Sequence, residues 1–148
     1  MKGFRTRLHD APGHEGVRRL VADLNALYAG EPALHTGDAD PAGFDMVVGD
    51  DDTHSVFAWL RHDPQGVAPT VLVVINATPT VHHGYRVGVP VAGRWDEVLN
   101  TDAEDYGGSG QGNVGAVETE DGAWHRFEQS LPLTLPPLAA VILRSGAP

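Results

Sequence analysis

The sequence has no cysteine among its 148 residues, which excludes a disulfide framework and a thiolate metal site. Basic residues are also scarce: ten lysines and arginines stand against twenty aspartates and glutamates, for a formal net charge of −10. Because nucleic acid and anionic membranes are bound through basic surfaces, neither is an expected partner. Apolar runs stay short of transmembrane length. The first residues carry charge without the apolar core of a signal peptide, which favours a cytoplasmic protein.

The length fits one domain, with or without a helical extension. Hydrophobic residues make up 41% of the chain, enough to build a packed core. A (β/α)8 barrel needs roughly 250 residues, so 148 residues cannot encode one.

Residues 14–29 are predicted to form one amphipathic helix, because their apolar side chains recur at helical spacing. Gly30 suits the helix end and Pro32 blocks its continuation. The stripe consists of Val17, Leu20, Val21, Leu24, Leu27 and Tyr28.

Beyond about residue 43 the pattern changes to that of short strands, rich in β-branched and aromatic residues and separated by turn sequences. Many short strands without intervening helices are typical of an antiparallel β-sandwich. The fold class is therefore mainly β, with about eight strands after one N-terminal helix. The predicted strands lie near 44–48, 55–60, 70–76, 84–89, 94–99, 114–118, 130–135 and 138–144.

The sequence contains partial matches to ligand-binding and metal-binding motifs, but each lacks a required residue or the required surrounding structure. Residues 110–115 match G-x-G-x-x-G, but no strand-then-helix arrangement surrounds them. Residues 38–43 begin like a calcium loop and then lack its bidentate glutamate. The eight histidines show no metal-binding pair and are interpreted as scattered surface residues. We therefore expect no catalytic residue, no metal and no cofactor in this chain.

Three aromatic residues are candidate carbohydrate-binding residues, because a flat ring can stack on a sugar: Trp95, Tyr106 and Trp124. Packing in a core or an interface is the alternative for each. Tyr106 lies in the stretch 100–113, whose glycine-rich, polar composition fits either a functional or a flexible loop.

A series of short segments along the chain, each only weakly specific, forms a pattern by its order. The segments include 24–28 (LNALY), 31–35 (EPALH), 55–59 (SVFAW), 85–90 (YRVGVP), 93–95 (GRW), 99–102 (LNTD), 106–109 (YGGS) and 133–139 (LTLPPLA). With these segments in this order, the chain resembles, over roughly residues 8–144, the C-terminal end of 1,4-α-glucan (glycogen) branching enzymes of the α-amylase superfamily.

This resemblance implies two parts. Residues 1–36 would correspond to the last helix of a (β/α)8 barrel and residues 37–148 to the all-β C-terminal domain. In that family an aspartate and a glutamate on the barrel transfer α-1,4 glucan chains to α-1,6 positions, and no position here corresponds to either. The implied function is a C-terminal domain of a branching enzyme, inactive alone, with a structural or glucan-contacting role.

The alternatives are a free-standing carbohydrate-binding module, or an independent enzyme with an unrecognised site. α-Glucan is the expected ligand in the first two cases. The exposed helix stripe should either fold back on the sandwich or pair with another chain, as a homo-oligomer or with a separate barrel. The stripe residues concerned are Val17, Leu20, Val21, Leu24 and Leu27.

Overall fold

The computed structural model describes residues 11–147, which form one α-helix and nine strands in two antiparallel sheets. Helix α1 spans Pro12–Gly30. The strands are β1 (Phe44–Asp51), β2 (Val56–Arg61), β3 (Val71–Asn76), β4 (His82–Val89), β5 (Arg94–Asn100), β6 (Ala116–Glu118), β7 (Glu120–Trp124), β8 (Phe127–Leu135) and β9 (Ala139–Ser145). The prediction of a mainly β, antiparallel fold with one preceding helix is confirmed.

The larger sheet has six strands in the order β1-β2-β3-β9-β5-β6, and the smaller sheet has three in the order β4-β8-β7. Strand β9 thus enters the middle of the larger sheet, between β3 and β5, although it is last in the chain. The chain therefore passes repeatedly between the two sheets, as expected for a sandwich.

The main core lies between the two sheets, where inward side chains of β1, β2, β3, β5 and β9 meet those of β4 and β8. Alternation explains how each strand supplies it: in β2, for example, Val56, Ala58 and Leu60 are buried while Phe57 faces outward. The buried residues of this core are Val48, Val56, Ala58, Leu60, Leu72, Val74, Val87, Val89, Trp95, Leu131, Leu133, Leu135, Val141 and Leu143.

Helix α1 covers the outer face of the larger sheet. Its side chains Leu20, Leu24 and Leu27 pack on a second cluster that includes Val73 of β3 and Ile142 of β9. Strand β3 is buried on both faces for this reason, because one face meets the smaller sheet and the other meets the helix. Burial of a leucine contributes up to about 1.5–3 kcal/mol, so this contact is a substantial part of the attachment of the helix.

An ion pair and a tyrosine hydroxyl also hold the helix against the domain. At the C-terminal end of α1, the buried Glu31 accepts a hydrogen bond of 2.6 Å from Arg144 of β9. Near the middle of the helix, the Tyr106 hydroxyl donates to the carboxylate of Asp23.

One strand was missed by the sequence pattern. Strand β7 carries Glu120, Asp121 and Gly122, and all five of its residues are exposed. It forms an edge of the smaller sheet and contributes no residue to the main core, so it shows neither the alternation nor the apolar content that identify a strand. The strand predicted near 114–118 is shorter in the structure, because Val114 and Gly115 both have positive φ and form a turn.

Candidate functional site: a groove of histidines and aromatic residues

A groove of about 470 Å³ lies beside strand β4, between the turn that joins β1 to β2 and the end of β7. Its volume is within the range of about 300–1,000 Å³ in which small ligands bind. Four of the chain's eight histidines line it. The lining residues are Asp51, His54, Val81, His82, His83, Gly84, Tyr85, Arg86, Trp124 and His125.

Asp51, the last residue of β1, makes hydrogen bonds to two other residues in one wall of the groove. Its carboxylate accepts a hydrogen bond of 2.6 Å from the Tyr85 hydroxyl and lies 3.0 Å from Nδ1 of His54. The Tyr85 bond is the main reason that the pKa of Asp51 lies below its ordinary value. Burial, and then the bond to Asp51, raise the pKa of Tyr85 above its ordinary value. At neutral pH the pair is therefore a carboxylate and an un-ionised phenol.

The two histidines on this wall are oriented by their hydrogen bonds. Nδ1 of His54 faces the Asp51 carboxylate, while Nε2 of His82 lies 3.2 Å from the carbonyl oxygen of His54. Each of these nitrogens faces an oxygen acceptor, so each is placed to donate a hydrogen bond. The rings also pack edge to face, with centroids 5.5 Å apart.

Trp124 forms the opposite wall. It ends strand β7, its side chain is 46% exposed, and its indole Nε1 donates a hydrogen bond of 3.0 Å to the carbonyl oxygen of Arg86. At the adjoining turn, Nδ1 of His125 accepts a bond of 2.9 Å from the backbone N–H of Gly88. Burial lowers the pKa of His125, which favours the neutral ring that this bond requires. Both bonds hold the turn against β4.

A glycine at position 88 makes this approach possible. A Cβ atom there would lie 3.0 Å from the carbonyl carbon of Trp124 and closer still to its oxygen. The guanidinium of Arg86 already has partners in the domain, because it donates a hydrogen bond to Ser130 and forms an ion pair with Glu120. The groove therefore offers a half-exposed indole ring and several hydrogen-bonding groups, among them the carboxylate of Asp51.

The prediction for Trp95 is corrected by the structure. Trp95 is 0% exposed and lies in the main core, where its Nε1 donates to the carbonyl oxygen of Val91 at 3.0 Å. Its position near the start of β5 directs the ring inward between the sheets. No face of this ring is accessible to a sugar.

Tyr106 and Trp124 are not brought together into one site. Tyr106 lies in a short 3₁₀ helix, Glu104–Tyr106, against helix α1. Burial, and then its hydrogen bond to Asp23, raise its pKa to about 12. The geometry of Tyr106 is therefore that of a residue that attaches the helix, whereas Trp124 is in the groove.

The loop that contains Tyr106 is held by its own polar side chains. Asn100 donates a bond of 2.6 Å to the carbonyl oxygen of Gln111, and Ser109 is bonded to the carboxylate of Asp102. Asn113 joins the loop to strand β8 through two bonds with the backbone of Thr134. These contacts explain why the glycine-rich stretch 100–113 contains so many polar residues.

Sequence reasoning missed the histidine wall of the groove. The sequence predicts scattered histidines, yet two turns and the start of strand β4, which are distant in sequence, bring His54, His82, His83 and His125 to one place. The only local signal was the pair His82–His83 at the start of a strand. Within residues 11–147, no cluster of three or more metal-ligating side chains is arranged to hold a metal ion.

The family is shown by a profile match. Residues 46–146 match the model of the family "Alpha amylase, C-terminal all-beta domain". The chain therefore belongs to this family of all-β domains, and the resemblance seen in the sequence is confirmed.

The curated relatives are more specific. Over 141 residues the chain is 57% identical to the 1,4-alpha-glucan branching enzyme GlgB 1 of Xanthomonas euvesicatoria pv. vesicatoria (strain 85-10), covering 95% of this chain and 19% of the relative. It is 58% identical over 137 residues to the 1,4-alpha-glucan branching enzyme GlgB of Cupriavidus pinatubonensis, covering 93% and 18%. The chain thus spans about a fifth of the length of these relatives.

A solved α-amylase from H. orenii shares the fold, with a TM-score of 0.50 and 15% sequence identity, over 95% of this chain and 22% of that one. Among the described residues, no helix combines the length and the apolar character that membrane crossing demands.

Proposed function

We propose that this chain is the C-terminal domain of a 1,4-α-glucan branching enzyme and that it supports chain transfer without carrying out the reaction. The observation that carries the proposal is the identity of 57% across 95% of the chain, with only 19% of the relative matched. The reaction is assigned to the unmatched part of such an enzyme. The boundary near residues 36 and 37 and the cytoplasmic location belong to the same proposal.

The proposed role is to dock on the catalytic part through helix α1. Three leucines of its apolar stripe pack on the domain's own sheet: Leu20, Leu24 and Leu27. Two valines of the stripe remain accessible, since Val17 is 58% and Val21 is 50% exposed. Apolar side chains at i and i+4 form a continuous surface on a helix. Such a pair is suited to a partner that covers it, and the catalytic part of the enzyme is the partner we propose.

A reconstitution experiment tests this role. The Xanthomonas euvesicatoria relative, truncated to remove the region that matches this chain, is combined with the purified chain in an iodine-stain branching assay on amylose. We expect no branching by the chain alone and increased activity when both are present. The double variant Val17→Ser/Val21→Ser should reduce that increase, whereas Val67→Ser, at an exposed valine in the β2–β3 loop, should not. Branching by the chain alone, or no increase with the partner, would contradict the proposal.

A free-standing glucan-binding module is the second candidate function. It is favoured by the exposure of Trp124 in a groove of ligand size. Retardation of the chain in a native gel that contains glycogen would support it. A homo-oligomer through Val17 and Val21 is the alternative partner, and light scattering distinguishes a dimer from a monomer.

A further inference from the structure

We propose that residues 124–126, where β7 turns into β8, form a pH-sensitive latch that neutral His125 holds closed on β4 and that protonation of His125 releases. When the latch is closed, Trp124 and His125 complete one wall of the groove. When it is released, Trp124 leaves that wall. The latch therefore controls whether the groove is formed, and it does so without any contribution from the docking role of helix α1.

The bond that closes the latch requires an uncharged imidazole. Nδ1 of His125 accepts a hydrogen bond of 2.9 Å from the backbone N–H of Gly88. A backbone N–H can only donate, whereas a protonated histidine carries a hydrogen on both ring nitrogens. Protonation therefore sets two N–H groups against each other, and an attractive contact becomes a repulsive one.

The segment that carries the latch is easily detached. Strand β7 is an edge strand whose five residues are all exposed. The φ angle of His125 is 50°, a left-handed conformation that is unfavourable for a residue other than glycine, so release relieves strain. Arg126 ties the latch to β1 through Asp45, but both side chains of this ion pair are solvent-exposed, and such pairs contribute little.

The surroundings of the ring give the sign of the pH dependence. Burial, and then the positive charge of Arg126, lower the pKa of His125, while Asp50 and Asp51 act in the opposite direction. In the released latch the ring is in water, where the pKa of a histidine is about 6.5. The latch is therefore complete above about pH 6.5 and is lost as the pH falls towards the lowered pKa of the closed form. The other charged or titratable side chains that line the groove are His54, His82, His83 and Arg86, the last paired with Glu120.

Uptake of a single proton sets the size of the effect. Between the pKa of the closed form and that of the open form, opening binds one proton. The equilibrium constant for opening then rises about tenfold for each unit by which the pH falls. From pH 7.5 to pH 5.5 the opening constant should therefore rise several-fold, with about tenfold as the upper limit.

Hydrogen exchange at these two pH values, corrected for the intrinsic exchange rate, measures the opening at Gly88 and at residues 120–128. We expect that rise in the parent chain and none in His125→Asn, which keeps an acceptor and tolerates the positive φ. His62→Asn is the matched control, because burial also lowers the pKa of His62 but this residue does not line the groove. It should behave like the parent chain. An equal rise in His125→Asn, no rise in the parent chain, or a rise of the same size throughout β2 and β9 would overturn the inference.

A second measurement needs no variant. The chain labelled with nitrogen-15 is titrated from pH 7.5 to pH 5, and the backbone signal of Gly88 is followed together with the three indole N–H signals. The signals of Gly88 and Trp124 should shift with the same midpoint as the ring of His125, below about 6.5, and that of the buried Trp95 should not shift. Different midpoints for Gly88 and His125, or an indole signal of Trp124 that does not respond, would overturn the inference.

Discussion

Replacement of Gly16 by alanine should detach helix α1 from the loop that follows β5. Gly16 is buried in the first half of the helix, where the backbone of Tyr106 crosses it. An added Cβ atom would lie 2.7 Å from the carbonyl carbon of Tyr106 and closer to its oxygen. Because the obstructing atoms belong to the backbone, either the helix or the 3₁₀ turn must move, and the bond between Tyr106 and Asp23 is then stretched.

The magnitude follows from two opposing terms. Alanine is favoured over glycine by about 1 kcal/mol inside a helix. Overpacking of a close contact costs about 1–3 kcal/mol. Gly16→Ala should therefore lower the free energy of unfolding by up to about 2 kcal/mol. Gly13→Ala is the matched control, since nothing lies within 4 Å of the Cβ it would add. It should be neutral or stabilising.

Urea unfolding followed by tryptophan fluorescence measures both variants, because Trp59 packs in the cluster beneath the helix. Hydrogen exchange of residues 17–28 separates local detachment of the helix from global unfolding. The reasoning is refuted if Gly16→Ala and Gly13→Ala have the same stability and the same exchange, since the close contact at Gly16 would then carry no cost.

Three further outcomes are expected. Trp95→Ala should lower the free energy of unfolding by about 3–5 kcal/mol, measured in urea, because it empties the centre of the main core. Gly88→Ala should increase hydrogen exchange at residues 120–128, because its Cβ would displace the backbone of Trp124. The chain should also lose stability as the pH falls below about 6.5, since burial lowers the folded-state pKa of both His62 and His125. Between the unfolded-state pKa and the lower folded-state pKa, the unfolded chain binds more protons than the folded chain. This contribution to stability is therefore complete above the unfolded-state pKa and is lost as the pH falls to the folded-state pKa. The variant His125→Asn keeps a hydrogen-bond acceptor, and asparagine tolerates the positive φ at this position. Because the variant lacks the imidazole, its free energy of unfolding should differ less between pH 7.5 and 5.5 than that of the parent chain.

The sandwich could be predicted because most strands are buried on at least one face. Strand β2 alternates buried and outward residues, and β3 is apolar throughout, as a strand covered on both faces must be. Strand β7 could not be predicted, because all its residues are exposed and only its pairing with β8 makes it a strand.

The candidate site was accessible to sequence reasoning only in part. Trp124 could be named as an aromatic residue able to meet a sugar, but its groove depends on contacts between segments far apart in the chain. Asp51 and Tyr85 are 34 positions apart, and the backbone N–H of Gly88 reaches a histidine 37 positions away. Such pairings follow from strand order, which hydrophobic periodicity does not encode. The same limitation placed Trp95 among the candidates, since nothing local shows on which face of β5 its ring lies.

The apolar stripe of helix α1 could also be predicted only in part. Periodicity identifies which side of a helix is apolar but not what covers it. Here Leu20, Leu24 and Leu27 meet the domain's own sheet, while Val17 and Val21, at the edge of the same stripe, stay exposed. A helix can therefore complete the second core of its own domain and still keep an apolar edge for a partner. For this reason a domain that spans about a fifth of its relatives can bury its central residues and still present the surface through which we propose that it joins the catalytic part.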